Sequence, residues 1–157
     1  FTRKDVVGGE EFIFHSGFFD AIKRDMNDIH NEIRNRMGRG IIYVTGHSLG
    51  GAMAAIFHFL SCNGLLANNW SKTHVCYTFG MPRYTKTDPA AFNHNLYATF
   101  FGLDLVPHVP PKWVGYVDCG ERLPLPNPGF DGLASLNPMT YHRMEGYVLG
   151  ATRQRDV

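Results

Sequence analysis

The sequence of 157 residues lacks several features that mark whole classes of protein. It contains no run of about 18 consecutive apolar residues, the length that a membrane-spanning helix requires, so we predict no such helix. It also lacks an excess of charge of one sign, because 15 Lys and Arg stand against 14 Asp and Glu. Proteins that bind nucleic acids usually carry a clustered basic face, and we therefore expect no nucleic-acid partner.

Cysteine is scarce, and the spacing that would indicate a metal site is missing. The three cysteines, Cys62, Cys76 and Cys119, have no paired spacing, and we expect them to be buried thiols. The eight histidines include no His-Glu-x-x-His pattern and no clustered Cys/His spacing, so we predict neither a metal nor a cofactor. The chain begins at Phe1 without a charged and apolar leader, and we interpret it as a processed or excised piece of unknown localisation.

Helical and strand patterns alternate along the chain. Apolar residues recur at the helical spacing of four, three and four, which predicts an amphipathic helix over residues 19–37. Further helices are predicted over residues 52–62, where the sequence is rich in Ala and apolar, and over residues 141–149. Runs of β-branched and aromatic residues predict strands. The predicted strands cover residues 11–14, 41–45, 74–79 and 96–101, and a hairpin pairs 114–117 with 122–125.

This alternation determines the predicted fold class. Strands that alternate with helices imply an α/β fold, with a mostly parallel sheet flanked by helices. The chain length fits one domain, residues 1–157. A short helix around Ala90 and Ala91 and a loop over residues 124–137, rich in Pro and Gly, complete the predicted organisation.

One motif carries chemistry. Residues 46–50 read Gly-His-Ser-Leu-Gly and fit the Gly-x-Ser-x-Gly pattern of a nucleophile elbow. In an elbow the serine occupies a sharp turn between a strand and a helix, and small neighbours let these two elements approach each other. We therefore predict Ser48 as a nucleophile, with the following helix offering N–H groups to a developing oxyanion. The alternative is a Gly-rich turn between a strand and a helix, without chemistry.

A serine hydroxyl needs a base, and the base needs an acid that orients it. The histidines downstream of the elbow are His58, His74, His94, His108 and His142, and the candidate acids are Asp88, Asp104, Asp118 and Asp131. Position favours His142, because it follows a loop rich in Pro and Gly and opens the last predicted helix. Position also favours Asp104, which comes just after a predicted strand, whereas the other acids suit turns or a helix cap.

Five segments in order along the chain resemble the class 3 lipases, also called fungal-lipase-like hydrolases. They are His15 to Phe18, Thr45 to Ala52, Thr78 to Arg83, Asp104 to Pro110 and His142 to Tyr147. The resemblance implies a serine hydrolase of the α/β-hydrolase type, with Ser48 as nucleophile, His142 as general base and Asp104 as orienting acid. It further implies that the backbone N–H of Leu49 belongs to the oxyanion hole and that His15 is structural.

The sequence departs from the pattern of that family in two respects. The family normally begins with further strands and helices, which hold the second oxyanion-hole donor and a lid, so this chain resembles a member truncated on its amino-terminal side. Thr2 or Ser16 is a candidate for the missing donor. In addition, Tyr84 and Thr85 stand where the family often has Val-Gly, and Asp118 stands where many members have His.

Three functional hypotheses follow. The first is a carboxylic-ester hydrolase that acts on acylglycerol or related lipid esters, with activity that rises with pH as the histidine base loses its proton. The second is a non-catalytic binding module of the lipase fold or an inactive fragment, because the amino-terminal part is absent. The third is an acyltransferase that uses the same serine. We expect a lipid or small-molecule ester as substrate and a transient contact with a lipid surface, and we leave the oligomeric state open.

Overall fold

The computed structural model describes residues 2–7, 9–36, 40–65, 72–88, 95–127 and 137–155. The strands are β1 (Thr2–Val7), β2 (Glu10–His15), β3 (Ile42–His47), β4 (Thr73–Phe79), β5 (Leu96–Phe100) and β6 (Glu121–Pro124). The helices are α1 (Ser16–Arg36), α2 (Leu49–Cys62), α3 (Pro138–Tyr141) and α4 (Met144–Arg155). Two short 3₁₀ turns, Val106–His108 and Lys112–Val114, lie between β5 and β6.

Four parallel strands form the central sheet, in the order β3-β4-β5-β6. Parallel neighbours require crossover connections, and α2 supplies the one between β3 and β4. Since all four strands run in the same direction, their carboxyl ends meet at one edge of the sheet. The predicted α/β fold with a parallel sheet flanked by helices is thereby confirmed.

The hairpin predicted for residues 114–117 and 122–125 is wrong. Residues 112–114 form a 3₁₀ turn, and β6 pairs in parallel with β5, from Tyr97 opposite Glu121 to Phe100 opposite Pro124. A hairpin would need two extended arms, whereas Gly115 has a φ of 92°, which turns the chain directly after the 3₁₀ turn. A long connection between β5 and β6 thus allows β6 to pair with β5 as a parallel strand.

A two-stranded antiparallel sheet lies at the start of the chain, where only residues 11–14 were predicted as a strand. β1 pairs with β2, from Thr2 opposite His15 to Val7 opposite Glu10. The prediction missed β1 because four consecutive charged or polar residues, Thr2 to Asp5, hide the alternation on which it depends. β2 is the buried partner, since both Phe12 and Phe14 are fully inaccessible to solvent.

Two helices close the core over the sheet. α2 is buried along most of its length and packs against β3 and β4, while α1 packs against α2. Small residues on α2 permit this approach: a Cβ added to Gly51 would lie 3.1 Å from the Cβ of Met81. The aromatic rings of β2 fill the space beside α2, with the ring centroids of Phe12 and Phe59 5.0 Å apart.

The single closing helix predicted over residues 141–149 is in fact divided. α3 ends at Tyr141 and α4 begins at Met144, so His142 lies in the break between them. Asn137 caps α3, because its side chain accepts a hydrogen bond from the N–H of Met139 at 3.0 Å. The cap therefore starts a separate helix of four residues, and the prediction of one continuous helix did not include it.

The remaining sequence predictions have mixed outcomes. Cys76 and Cys119 are buried, and burial raises the pKa of each thiol to about 12. Cys62 is only partly buried, which corrects the prediction for that thiol. The predicted short helix at residues 90–91 and most of the predicted loop over residues 124–137 lie outside the described residues. None of the helices among the described residues is both long and apolar enough to cross a membrane.

Candidate active site

Ser48 occupies a sharp turn between β3 and α2. It is the residue between the end of β3 and the start of α2, with φ 57° and ψ −130°, in the region that residues other than glycine rarely adopt. A Cβ added to Gly46 would overlap the backbone carbonyl of Gly50, so glycine is required there. A Cβ added to Gly50 would meet no atom within 4 Å, so the second glycine of the motif is not required by space.

The turn is fixed to the neighbouring strand and continues into a helix. The N–H of Ser48 donates to the carbonyl of Phe79, at the end of β4, over 2.9 Å. The carbonyl of Ser48 accepts from the N–H of Gly51 at 2.9 Å, which starts the ladder of α2. The N–H of Leu49, at the first position of α2, has no acceptor within the helix, as is general for the first turn. An anion formed at Ser48 would find this N–H beside it.

Three polar side chains from distant parts of the sequence form one hydrogen-bonded chain. The Nε2 atom of His142 lies 2.7 Å from the Oγ of Ser48. The Nδ1 atom of His142 lies 2.9 Å from Oδ2 and 3.1 Å from Oδ1 of Asp104. If Nδ1–H donates to the carboxylate, Nε2 is left as an acceptor for the serine hydroxyl. The imidazole therefore stands where it can take the proton of Ser48.

Asp104 is fully inaccessible to solvent, and three donors satisfy its carboxylate. Besides His142, the N–H of Val106 donates to Oδ1 at 2.9 Å and the hydroxyl of Tyr147 donates to Oδ2 at 2.6 Å. Burial, together with the hydrogen bond and charge of Asp104, raises the pKa of Tyr147 above its ordinary value, so the phenol stays protonated as a donor. A buried carboxylate needs such partners, because an unpaired charge in the interior is costly.

Gly80 makes room for this arrangement. It follows β4 with a φ of 58°, and its N–H donates to the carbonyl of Thr99 at 3.0 Å. A Cβ at this position would lie 2.9 Å from both the Asp104 Oδ2 and the Tyr147 hydroxyl, and 3.1 Å from the His142 Nδ1. Any larger residue would therefore displace the acid, the tyrosine or the histidine.

The sequence model of the family described as Lipase (class 3) matches residues 2–113. The chain belongs to the class 3 lipase family. That match includes Ser48 and Asp104 but ends before His142. For His142 the structure gives the geometry, with one ring nitrogen 2.7 Å from the Ser48 hydroxyl and the other 2.9 Å from Asp104, and its role as base stays a prediction.

Known class 3 lipases and related enzymes are similar to this chain over part of their length. Phospholipase A1-II 1 of Oryza sativa is 33% identical over 115 residues, which are 69% of this chain and 28% of that protein. The lipase of Rhizomucor miehei is 33% identical over 120 residues, which are 69% of this chain and 31% of that protein. The chain thus spans about a third of the length of these curated relatives.

Solved lipase structures share the fold. The triacylglyceride lipase of Rhizomucor miehei superposes with a TM-score of 0.63 at 26% identity, covering 80% of this chain and 50% of that chain. A lipase from Rhizopus microsporus var. chinensis gives a TM-score of 0.61 at 26% identity, covering 79% of this chain and 46% of that chain. This chain is therefore an α/β-hydrolase fold that corresponds to part of the lipase domain.

The other described histidines downstream of the elbow lie away from Ser48. His58 is buried in α2, with its Nδ1 2.6 Å from the hydroxyl oxygen of Thr73. His74 is exposed on β4, and His108 is exposed at the end of a 3₁₀ turn. His94 lies outside the described residues. Among the described histidines downstream of the elbow, His142 alone has a ring nitrogen 2.7 Å from the serine hydroxyl.

Asp118, for which sequence reasoning suggested a turn, is the centre of an ion-pair group. Its carboxylate lies 2.7 Å from Arg83 Nε, 2.8 Å from Lys112 Nζ and 3.3 Å from Arg122 Nη1. Burial raises the pKa of this carboxyl, but the hydrogen bonds from Lys112 and Arg83 outweigh that effect and the pKa is lowered overall. Asp88 is exposed, and Asp131 lies outside the described residues.

Arg83 connects Asp118 to the loop that carries Asp104. Its side chain is 7% exposed, and it donates through Nη1 to the carbonyls of His108 and Pro110, the latter at 3.0 Å. Sequence reasoning did not assign a role to this arginine. The only signal for it was the resemblance of residues 78–83 to a family segment that ends in Arg.

The structure does not test the predictions about the second oxyanion donor and about His15. Thr2 of β1 lies opposite His15 of β2, and Ser16 begins α1. That Thr2 or Ser16 supplies the second oxyanion donor stays a prediction. The Nδ1 atom of His15 is buried without a hydrogen-bond partner, while its ring stacks on Phe18 at 4.3 Å. Within the described ranges, His, Cys, Asp and Glu side chains form no group of three that would hold a metal ion.

Proposed function

We propose that this chain carries the catalytic centre of a carboxylic-ester hydrolase. The observation that carries the proposal is the continuous hydrogen-bonded chain from Ser48 through His142 to Asp104, at 2.7 and 2.9 Å. A binding module has no need for a serine in a strained turn, an imidazole against its hydroxyl and a buried carboxylate behind it. Membership of a family of lipases supports the same activity.

The proposed reaction proceeds in two halves. Ser48 Oγ attacks the ester carbonyl carbon while its proton passes to Nε2 of His142, and the carbonyl oxygen becomes an oxyanion beside the N–H of Leu49. The tetrahedral intermediate collapses, the bond to the alcohol oxygen breaks, and His142 returns the proton to that oxygen. Water then attacks the acyl-enzyme, again giving its proton to Nε2 of His142. The bond between the acyl carbon and Ser48 Oγ breaks, His142 returns the proton to Oγ, and the acid is released. Asp104 keeps Nδ1–H oriented throughout.

We propose lipid esters as the substrate class. The relatives named above include a phospholipase A1 and a triacylglyceride lipase, which both act on acyl esters of glycerol. Several large apolar side chains on the loops that follow β5 and around α3 and α4 are exposed. They are Leu103, Leu105, Val109, Trp113, Met139 and Met144. Exposed apolar side chains in such loops fit a transient contact with a lipid surface.

Labelling with a fluorophosphonate tests the proposed function. Such a reagent is attacked by a serine whose base and oxyanion donors are assembled, so it should label the native chain at Ser48 and fail to label Ser48→Ala. His142→Gln should lower the labelling rate by on the order of 10³-fold, whereas the matched variant His74→Gln, on the exposed face of β4, should retain it.

The outcome of the labelling experiment also separates the competing hypotheses. A folded chain that is not labelled at all would favour the binding-module hypothesis. If labelling occurs and an added alcohol then receives the acyl group in preference to water, the acyltransferase hypothesis would replace hydrolysis.

A further inference from the structure

The side chain that precedes the nucleophile contacts the catalytic histidine directly. His47 is the last residue of β3, and its Nε2 lies 2.7 Å from the backbone carbonyl oxygen of His142. Because a carbonyl only accepts, Nε2 of His47 must carry the proton in this bond. The two imidazole rings also stack, with centroids 4.7 Å apart and planes inclined by 29°. The ring of Tyr147 packs edge-on against the ring of His47, with the two centroids 5.8 Å apart.

The N–H of His142 donates within α3, to the carbonyl of Met139 at 3.2 Å, whereas its carbonyl accepts from His47. His142 lies in the two-residue break between α3 and α4, and α3 has only four residues. Asp104 holds the Nδ1 end of the imidazole but does not restrain the backbone that carries it. Small movements of that backbone would change the 2.7 Å separation between Nε2 and the Ser48 hydroxyl, and they would also loosen the bond between Nδ1 and Asp104.

We propose that His47 is a positioning residue for the general base. Its side chain binds the backbone carbonyl of His142, and His47 directly precedes Ser48 in the chain. The nucleophile and its base are therefore connected through a single residue. The hydrogen bond fixes the carbonyl of His142, and the ring stack fixes the plane of its imidazole. This inference rests on the proposed hydrolase function, because it concerns the base of that reaction.

Three substitutions separate the two contacts. His47→Phe retains a stacking ring but loses the donor, His47→Gln retains an N–H donor but loses the ring, and His47→Ala loses both. Misplacement of a reacting group by about 1 Å costs on the order of 10²-fold in rate. We therefore expect the fluorophosphonate labelling rate to fall about 10-fold in His47→Phe and in His47→Gln, and on the order of 10²-fold in His47→Ala.

The steady-state constants separate positioning from a general loss of structure. With a soluble short-chain ester, kcat should fall in the His47 variants while KM changes little, because the lost precision acts on the chemical step. Melting temperatures are measured alongside, and rates are compared well below the lowest of them. His74→Phe, which makes the same change at an exposed position of β4, should leave the labelling rate unchanged.

A measurement that does not depend on turnover keeps this inference distinct from the proposed function. In NMR spectra of chain labelled with ¹⁵N-histidine, the Nδ1–H proton of His142 should exchange with water more rapidly in His47→Phe than in the wild-type chain. Unchanged exchange, or variants of His47 that label at the wild-type rate, would overturn the positioning role even though Ser48 reacts. A wild-type chain that is not labelled, but whose Nδ1–H is protected by His47, would overturn the hydrolase function alone.

Discussion

The hydroxyl of Tyr147 offers a clean test of how the candidate acid is held. Tyr147→Phe removes only the donor that lies 2.6 Å from Oδ2 of Asp104. The ring itself should stay, because it is fully buried and packs against Phe101 at 4.5 Å and Phe79 at 6.1 Å. The substitution therefore isolates one hydrogen bond to a carboxylate that solvent does not reach.

The expected magnitude follows from the donors that remain. Asp104 would keep the N–H of Val106 and the ring of His142, both at 2.9 Å, and would lose one of three partners. A hydrogen bond to a charged group contributes about 1.5–3 kcal/mol. Because no water replaces the phenol in a fully buried site, we expect the free energy of unfolding at pH 7 to fall by about that amount. The labelling rate of Ser48 should fall less, by about threefold to tenfold, since the bond between His142 and Asp104 persists.

Urea denaturation of the two proteins measures the effect. The midpoint should shift while the slope stays constant, because the surface exposed on unfolding is nearly the same. Tyr77→Phe is the matched control, since Tyr77 is 43% exposed on β4 and its hydroxyl can remain with water. Equal stability of Tyr147→Phe and the wild type would refute the reasoning, because Asp104 would then not depend on the phenol.

Three further predictions concern space, charge and thiol reactivity. Gly80→Ala should abolish labelling at Ser48, because its Cβ would lie 2.9 Å from two groups of the site, whereas Gly50→Ala, with no atom within 4 Å, should retain most of it. Asp118→Asn should destabilise the chain by about 1–3 kcal/mol at pH 7. Since the folded-state pKa of Asp118 is lowered, its contribution is present above about pH 4 and is lost as the pH falls through the folded-state pKa, so urea midpoints of variant and wild type should converge in acid. Iodoacetamide should alkylate the partly buried Cys62 well before Cys76, whose pKa of about 12 keeps the thiol protonated, and mass spectrometry of the peptides would contradict this if the order were reversed.

The elements that the sequence predicted are those whose patterns are local. The helical spacing from Ile22 to Ile33 predicted α1, and the β-branched run at residues 41–45 predicted β3, because each pattern reflects burial of one element against a single core. β1 and the break at His142 were missed for the same reason. β1 gains its strand conformation by pairing with β2, and the break depends on contacts with distant residues, which no local pattern reports.

The sequence by itself determined the elbow. Gly46, Ser48 and the flanking strand and helix are contiguous, so the sharp turn that carries the Ser48 hydroxyl follows from neighbours along the chain. The sequence also ranked His142 and Asp104 first among several candidates, but position and family resemblance were the only grounds. Their catalytic roles stay predictions until the labelling experiment is done.

Only the tertiary structure decided which groups meet. Parallel strands bring the ends of β3, β4 and β5 to one edge, so that residues 38 and 94 positions apart along the chain come within 3 Å of each other. It also decided that the tyrosine donor, the space left by Gly80 and the support from His47 surround the site. Such contacts arise from the packing of elements that are distant in sequence. A local sequence pattern predicts single elements, but it does not predict the distances between their side chains.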